Sequence, residues 1–231
     1  MTEAKIFVRR YDPETKKSWI SEYNVPVEGD TMVLDALVYI KNKIDRTLTF
    51  RYSCRMAICG SCGMVINGRP MLACQTKVAE IRTPIVVEPL YNFDVIKDLV
   101  VDMDVFMHYL KEMKPYIIRK EEPKEIIVKS EQQEPIINPS ACINCMLCYA
   151  ACPVFGYDQT FKGPAALSLL YRYLMDPIDQ GREERLKIAN DKDAVWKCSF
   201  WGECSNACPK NVDPAFNIQR MKLMLGLSSL K

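Results

Sequence analysis

Near the start of the chain apolar side chains fall on every second position, at Ile6 and Val8, then at Trp19, Tyr23 and Val25 with Ser21 in the same register. That is the period of half-buried strands, and it predicts a hairpin. Gly29-Asp30-Thr31 then offers helix caps, and Leu34, Leu37, Val38 and Lys41 follow at helical spacing. Met64 to Ile66 and Met71 to Leu72 flank Asn67-Gly68, a dipeptide that tolerates the positive φ angles of a tight turn. Pro84 to Glu88 reads as one more strand. After Asp98 the period changes: Leu99, Met103, Phe106, Leu110 and Met113 recur at three- and four-residue steps, which predicts a helix ending near Pro115. Arg119 to Pro139 is rich in Lys, Glu, Gln and Pro and reads as a linker. Gly163-Pro164 opens a helix carrying Leu167, Leu170, Tyr171 and Leu174, and Asp213-Pro214 supplies an N-cap and first-turn proline for the last helix. The pattern is therefore mixed β with one helix in the first hundred residues, and helical in the second half.

Composition narrows the function. With 48% hydrophobic and 26% charged residues, wholesale disorder, a collagen-like chain and a membrane-embedded chain are excluded. The 31 basic and 29 acidic residues nearly cancel, so nothing argues for a nucleic-acid partner, which needs a clustered basic surface. The richest apolar stretches, Ala165 to Leu170 and Leu223 to Leu227, fall far short of the roughly 20 residues of a membrane helix. The charged start, Met1 to Arg10, is not expected to be a secretory signal. At 231 residues, two small domains are favoured over one large one.

Cysteine changes the picture most. There are 11, an odd number that intramolecular disulfides cannot consume, which points to a reducing compartment. Cys54, Cys59, Cys62 and Cys74 have the C-x4-C-x2-C spacing of plant-type 2Fe–2S ferredoxins, with a distant fourth ligand. Gly60 and Gly63 are expected to let backbone N–H groups approach the sulfurs. A structural zinc site is the alternative, since four thiolates also bind zinc tetrahedrally. Cys142, Cys145, Cys148 and Cys152-Pro153 form the C-x2-C-x2-C-x3-C-P run of bacterial ferredoxins, in which the fourth cysteine serves a second cluster. A second run follows at Cys198, Cys204 and Cys208-Pro209, with Trp201 where the template has its second cysteine. Crossing the fourth ligands gives Cys142, Cys145, Cys148 and Cys208 for a 4Fe–4S cluster. It leaves Cys152, Cys198 and Cys204 for a cluster that, with an indole at its vacant corner, lacks one iron, as 3Fe–4S. All 11 cysteines are then used.

The stretches Cys54 to Gly63, Cys142 to Pro153 and Cys204 to Lys210, with Asp98 to Met103, Lys114 to Ile118 and Phe161 to Leu167, resemble the iron–sulfur subunit of succinate dehydrogenases and fumarate reductases over nearly the whole chain. The resemblance implies an α+β architecture: a ferredoxin-like β-grasp domain at residues 1–103, a connecting helix and charged linker at 104–140, and an all-α, bacterial-ferredoxin-like domain at 141–231. It also implies an electron relay between a flavoprotein carrying FAD and quinone at hydrophobic membrane-anchor subunits, which can carry heme b. The chain would lie peripherally on the cytoplasmic face of the membrane. At the quinone end, family succinate dehydrogenases place a proline, a tryptophan and a histidine where this chain has Pro153, Tyr157 and Ser199. Lys222 matches a lysine that fumarate reductases place near quinone. With Trp201, these residues are the expected surroundings of quinone and the 3Fe–4S cluster, and the pattern leans toward fumarate reductase.

The runner-up is the iron–sulfur subunit of another flavoprotein, a thiol-linked fumarate reductase or a glycolate-oxidase-type enzyme, which usually carries an added cysteine-rich domain. A zinc-stabilised interaction module or a redox sensor is the reading from a different class. His108, the only histidine, is expected to be an ordinary surface or interdomain residue, and Arg182 to Lys187 a solvated helix face.

Overall fold

The computed structural model describes residues 2–121 and 125–228. They divide into two compact units, Met1–Met103 with Ile143–Ala151, and Asp104–Cys142 with Cys152–Lys231.

In the first unit β1 (Thr2–Asp12) and β2 (Lys17–Val27) form the expected hairpin, paired from Thr2 opposite Val27 to Asp12 opposite Lys17. Next along the chain come α1 (Val33–Tyr39), β3 (Gly63–Ile66), β4 (Arg69–Leu72) and β5 (Ile85–Glu88). The sheet order is β2-β1-β5-β3-β4, with β5 parallel to β1 and every other pairing antiparallel. Ile6, Val8, Val25, Leu34, Leu37, Ile40, Ile85 and Val87 are buried, so one face of the sheet and the apolar stripe of α1 close a core. The helix starts later than its Gly-Asp-Thr signal suggests: Met32 is the N-cap, and the Asp35 carboxylate accepts from its N–H at 3.1 Å. Asn67 and Gly68 take φ of 47° and 78°, the left-handed pair that the β3–β4 turn requires.

A buried ionic cluster ties this sheet to the chain entering the first cysteine group. Arg10 donates from Nε to Asp98 at 2.9 Å and from Nη1 to Asp45 at 2.6 Å and to the Tyr23 hydroxyl at 2.9 Å. Asp98 also accepts from the amides of Tyr11 and Thr49. Burial opposes ionisation of Asp45, yet hydrogen bonds from Thr47, Tyr23 and Arg10 outweigh it and hold the carboxyl below its usual range.

The expected helix from Leu99 is shorter than its pattern. Residues Val95–Lys97 (β6) and Val100–Val101 (β7) pair as a small separate sheet, and α2 occupies only Asp104–Glu112. Leu99 is buried from a turn rather than from a helix face, so its helical spacing is coincidental.

The second unit is helical: α2, then α3 (Ser130–Ser140), α5 (Pro153–Tyr157), α6 (Pro164–Leu174), α7 (Arg182–Ala189), α8 (Glu203–Asn206) and α9 (Pro214–Ser228), while α4 (Leu147–Ala150) belongs to the first unit. Helix α6 is its hub, with Leu167, Leu170, Tyr171 and Leu174 buried and Ser168 accepting from Asn217 of α9 at 2.9 Å. As expected, Asp213 caps α9, accepting from the Phe216 amide at 3.0 Å.

Two expectations are corrected here, the linker and the solvated helix face. The linker contains α3, despite Pro135 and Pro139 inside it; its residues 122–124 lie outside the described residues. Intrinsic propensity argued against that helix, but Gln132 caps the Lys129 amide, Pro139 is buried, and Asn138 both donates to Asn211 and accepts from Asp213. By its contacts Ile143–Ala151 groups with the first unit, through buried Leu147 and Tyr149 and through Asn92, whose side-chain amide donates to the Tyr149 and Ala150 carbonyls. Within the supposed solvated face, Arg185 is fully buried.

Candidate metal centres

The first cysteine group sits on an irregular loop held in an uncommon conformation. Arg55, Ala57 and Gly60 have φ of 57°, 56° and 72°, and each left-handed non-glycine residue costs about 1 kcal/mol or more. Those turns aim amides inward. The N–H groups of Met56, Ile58 and Cys59 donate to Cys54 Sγ at 3.5, 3.4 and 3.2 Å, and that of Ala57 donates to Cys74 Sγ at 3.3 Å. The fourth cysteine is thus brought to the loop as expected, by the register of the β3–β4 hairpin: Gly63 pairs with Leu72, and the Ala73 amide donates to the Cys62 carbonyl at 3.1 Å. The expectation for the glycines is corrected. The backbone bonds to sulfur come from Cys54 and from Met56 to Cys59, whereas the missing side chains of Gly60 and Gly63 make room for Ile143, Cys145 and Leu147.

The thiols of this group differ widely in their surroundings. The Ser61 hydroxyl, 3.0 Å from Cys59 Sγ, and the Cys54 amide pull the Cys59 thiol down to about 6. Cys62 is buried, and burial pushes it up to about 12, with Cys74 and Cys59 adding repulsion. Cys62 is therefore a neutral thiol on its own, and it would become a thiolate only where a bound cation compensated its charge. Ser61 was missed in the sequence; a hydroxyl between two ligand cysteines is the only signal it carries.

Cys152, Cys198 and Cys204 line one recess in the second unit, together with Pro153, Ser199 and Trp201. Cys152 caps α5, accepting from the Phe155 amide at 3.5 Å, and Pro153 opens that helix. Burial first, then the charges of Cys152 and Cys198, push the Cys204 thiol up to about 12. Gln219 on α9, unmarked in the sequence, donates to Cys198 Sγ at 3.7 Å, and Lys222 Nζ donates to the Cys198 carbonyl at 2.7 Å. Trp201 is 67% exposed, so it rims the recess rather than filling a core of this chain. Tyr157, at 95% exposure, ends α5 and is not part of the lining.

The two ferredoxin-type runs have the same local fold. Aligning Cys142 with Cys198 puts Asn144 on Phe200, with φ of 54° and 57°, and Met146 on Gly202, with φ of 63° and 81°. It puts α4 on α8 residue for residue, and Trp201 on Cys145. The tryptophan therefore stands in a cysteine's place within a conserved backbone shape. Of the expected 4Fe–4S ligands, Cys145 and Cys148 belong to the first unit, and Cys142 and Cys208 to the second.

Sheet, helical unit and three thiol groups together define a multicluster iron–sulfur protein. Residues 5–108 match the model of a 2Fe-2S iron-sulfur cluster binding domain, and residues 134–209 that of a 4Fe-4S dicluster domain. The chain is 48% identical to the fumarate reductase iron-sulfur subunit of Mycobacterium tuberculosis over 97% of its own length and 93% of the relative's. It is 47% identical to that of Escherichia coli O157:H7, over 96% and 93%. The succinate dehydrogenase iron-sulfur subunit of Paracoccus denitrificans is 38% identical, over 94% and 86%. A chain of the Mycobacterium smegmatis Sdh1 complex in its apo form superposes with a TM-score of 0.87 at 26% identity, covering 99% of this chain and 98% of that one. The chain belongs to the family of fumarate reductase and succinate dehydrogenase iron–sulfur subunits, and is an electron-transfer component of an oxidoreductase complex.

Proposed function

We propose that this chain carries electrons between an FAD-containing flavoprotein, where succinate and fumarate interconvert, and quinone held at hydrophobic anchor subunits with or without heme b. Cys54, Cys59, Cys62 and Cys74 hold a 2Fe–2S cluster, Cys142, Cys145, Cys148 and Cys208 a 4Fe–4S cluster, and Cys152, Cys198 and Cys204 a 3Fe–4S cluster. When bound, each cluster supplies a one-electron centre. The chain's own part is to fix sulfur positions, direct amides at sulfur in the first loop, and keep Cys62, Cys74, Cys148, Cys152 and Cys204 away from water. The observation that carries this reading is the complete use of 11 cysteines by three groups, with Trp201 on the backbone position of Cys145. Pro153, Ser199, Trp201 and Lys222 form the quinone-facing surroundings of the third group, and Tyr157 stands free on the same unit to donate a hydrogen bond.

Relatives named as fumarate reductase subunits are 46–48% identical and those named as succinate dehydrogenase subunits 38%. That supports the fumarate reductase side. Iron and acid-labile sulfide assays on the assembled complex should give about nine irons and about ten sulfides per chain. Low-temperature electron paramagnetic resonance of the oxidised complex should show a 3Fe–4S signal. Stoichiometric zinc, or no such signal, would overturn the reading.

A further inference from the structure

Gly60 and Gly63, on the first cysteine loop, lie against the segment that carries Cys145. A Cβ at Gly60 would stand 2.7 Å from the Ile143 carbonyl oxygen and 2.9 and 3.0 Å from Cβ and Cα of Cys145. At Gly63 it would stand 3.0 Å from the Cys145 carbonyl oxygen and 3.2 Å from Leu147 Cδ2. The nearest obstacles are backbone atoms, which cannot rotate aside. Both partners of the contact are in the first unit, and Asn92 fixes the far end of the segment by donating to Tyr149 and Ala150. Cys59 and Cys145 line one crevice of roughly 100 Å³ beside the contact. The amides that meet the sulfurs do not require this contact: those of Met56, Ile58 and Cys59 donate to Cys54, that of Ala57 to Cys74 and that of Cys54 to Cys59.

We propose that Gly60 and Gly63 are positioning residues for electron transfer, absent side chains that set the separation between the 2Fe–2S loop and the Cys145 segment of the 4Fe–4S site. The proposal rests on the cluster assignment above. One electron passes between the two centres, the donor being oxidised and the acceptor reduced: from the 4Fe–4S to the 2Fe–2S centre when fumarate is reduced, and the other way when succinate is oxidised. Tunnelling falls exponentially with distance, so a methyl group that pushes the two loops apart slows that transfer while leaving every ligand in the chain.

The two glycines allow space to be separated from backbone strain. Gly60 has a left-handed φ of 72°, so Gly60→Ala changes both. Gly63 is not left-handed, so Gly63→Ala adds only the contact. Gly68 in the β3–β4 turn, with φ of 78° and nothing within 4 Å of its Cβ position, is the control for strain without contact. The measurement is microwave power saturation of the reduced 2Fe–2S signal in the assembled complex, with the 4Fe–4S cluster oxidised and then reduced. A paramagnetic neighbour speeds relaxation steeply with proximity. Gly63→Ala and Gly60→Ala should lose much of that enhancement and saturate at several-fold lower power, and Gly68→Ala should behave as the parent. Loss of the 4Fe–4S signal from Gly63→Ala, with Gly68→Ala fully loaded, would overturn the proposal, because the glycine would then serve assembly of that site rather than its separation from the 2Fe–2S loop. Unchanged saturation in a fully loaded Gly63→Ala complex, loss of the 2Fe–2S signal alone, or the same change in Gly68→Ala would overturn it. A parent complex lacking either signal would instead overturn the cluster assignment.

Discussion

Trp201 concentrates the chemistry of the third cysteine group in one side chain. Its backbone copies that of Cys145, flanked by the same left-handed residues, yet indole offers neither a suitable lone pair nor room for an ion. Because the ring is 67% exposed, Trp201→Cys should cost the isolated fold little, as surface substitutions usually change stability by no more than about 0.5 kcal/mol. It should place a thiolate where a fourth iron can bind, at about 2.3 Å, the usual metal–sulfur distance. The added charge should lower the potential of that cluster, so quinone-linked turnover falls while succinate oxidation with an artificial acceptor at the flavin survives. Anaerobic spectroscopy of parent and variant checks this: two 4Fe–4S clusters in a parent never exposed to air would refute the role given to Trp201. That Cys74 meets the Cys54 loop, and that Cys152, Cys198 and Cys204 line one recess, was legible in the sequence because cysteine spacing carries it directly. Ser61 and Gln219 were not, since a hydroxyl or amide reveals its bond to sulfur only once the loop or helix is folded.

Elements with local signals followed the sequence, and those decided by tertiary contacts did not. The β1–β2 alternation, the Asn67-Gly68 turn and the Gly163-Pro164 helix start each carry their cause within a few residues. Helix α3 does not: its prolines speak against it, and its support comes from Asn211 and Asp213, more than 70 residues away. Arg185 is the same lesson on α7. Its run of charges reads as solvated, but its guanidinium is buried, donating to the carbonyls of Met113, Lys114 and Tyr116 and to both oxygens of Asp179. Asp179 in turn accepts from the amides of Ile118 and Gly181, so the pair pins the chain after α2 onto the start of α7. Burial opposes the charge on Asp179, and these hydrogen bonds outweigh it and hold the carboxyl below its usual range. Arg185→Leu should strand that carboxylate and three carbonyls at a cost of about 3–5 kcal/mol. Thermal unfolding of the assembled complex at fixed scan rate should show a clear drop, partly recovered in Arg185→Leu/Asp179→Asn, where the buried charge is gone but an acceptor remains. No recovery in the double variant would mean that packing of the arginine stem, not its charge, is what counts.

At the scale of the molecule, the question is what brings a chain of this composition to a membrane. Among the described residues no helix is long and apolar enough to cross one. The longest described helix, α9, has 15 residues, about 22 Å at 1.5 Å per residue, against a hydrocarbon core of about 30 Å. A net charge of +2 gives no strong electrostatic pull toward anionic lipid. What the second unit does present is scattered exposed apolar side chains, among them Tyr157, Phe200, Trp201 and, one turn apart on α9, Leu223 and Leu227. These suit a protein partner better than a bilayer, since the two cations beside them on α9 are engaged within the chain, Arg220 on the Tyr171 hydroxyl and Lys222 on the Cys198 carbonyl. The attachment should therefore be indirect. Produced alone, the chain should stay at the bottom of a flotation gradient with protein-free vesicles of mixed neutral and anionic lipid. Produced with its flavoprotein and anchor subunits, it should sediment with membranes, on the cytoplasmic side by protease accessibility of inside-out vesicles. Replacing Leu223 and Leu227 by Ser should weaken retention of the otherwise loaded chain on washed membranes without altering its iron content. Flotation of the isolated chain with vesicles would refute indirect attachment, because binding would then need no partner at all.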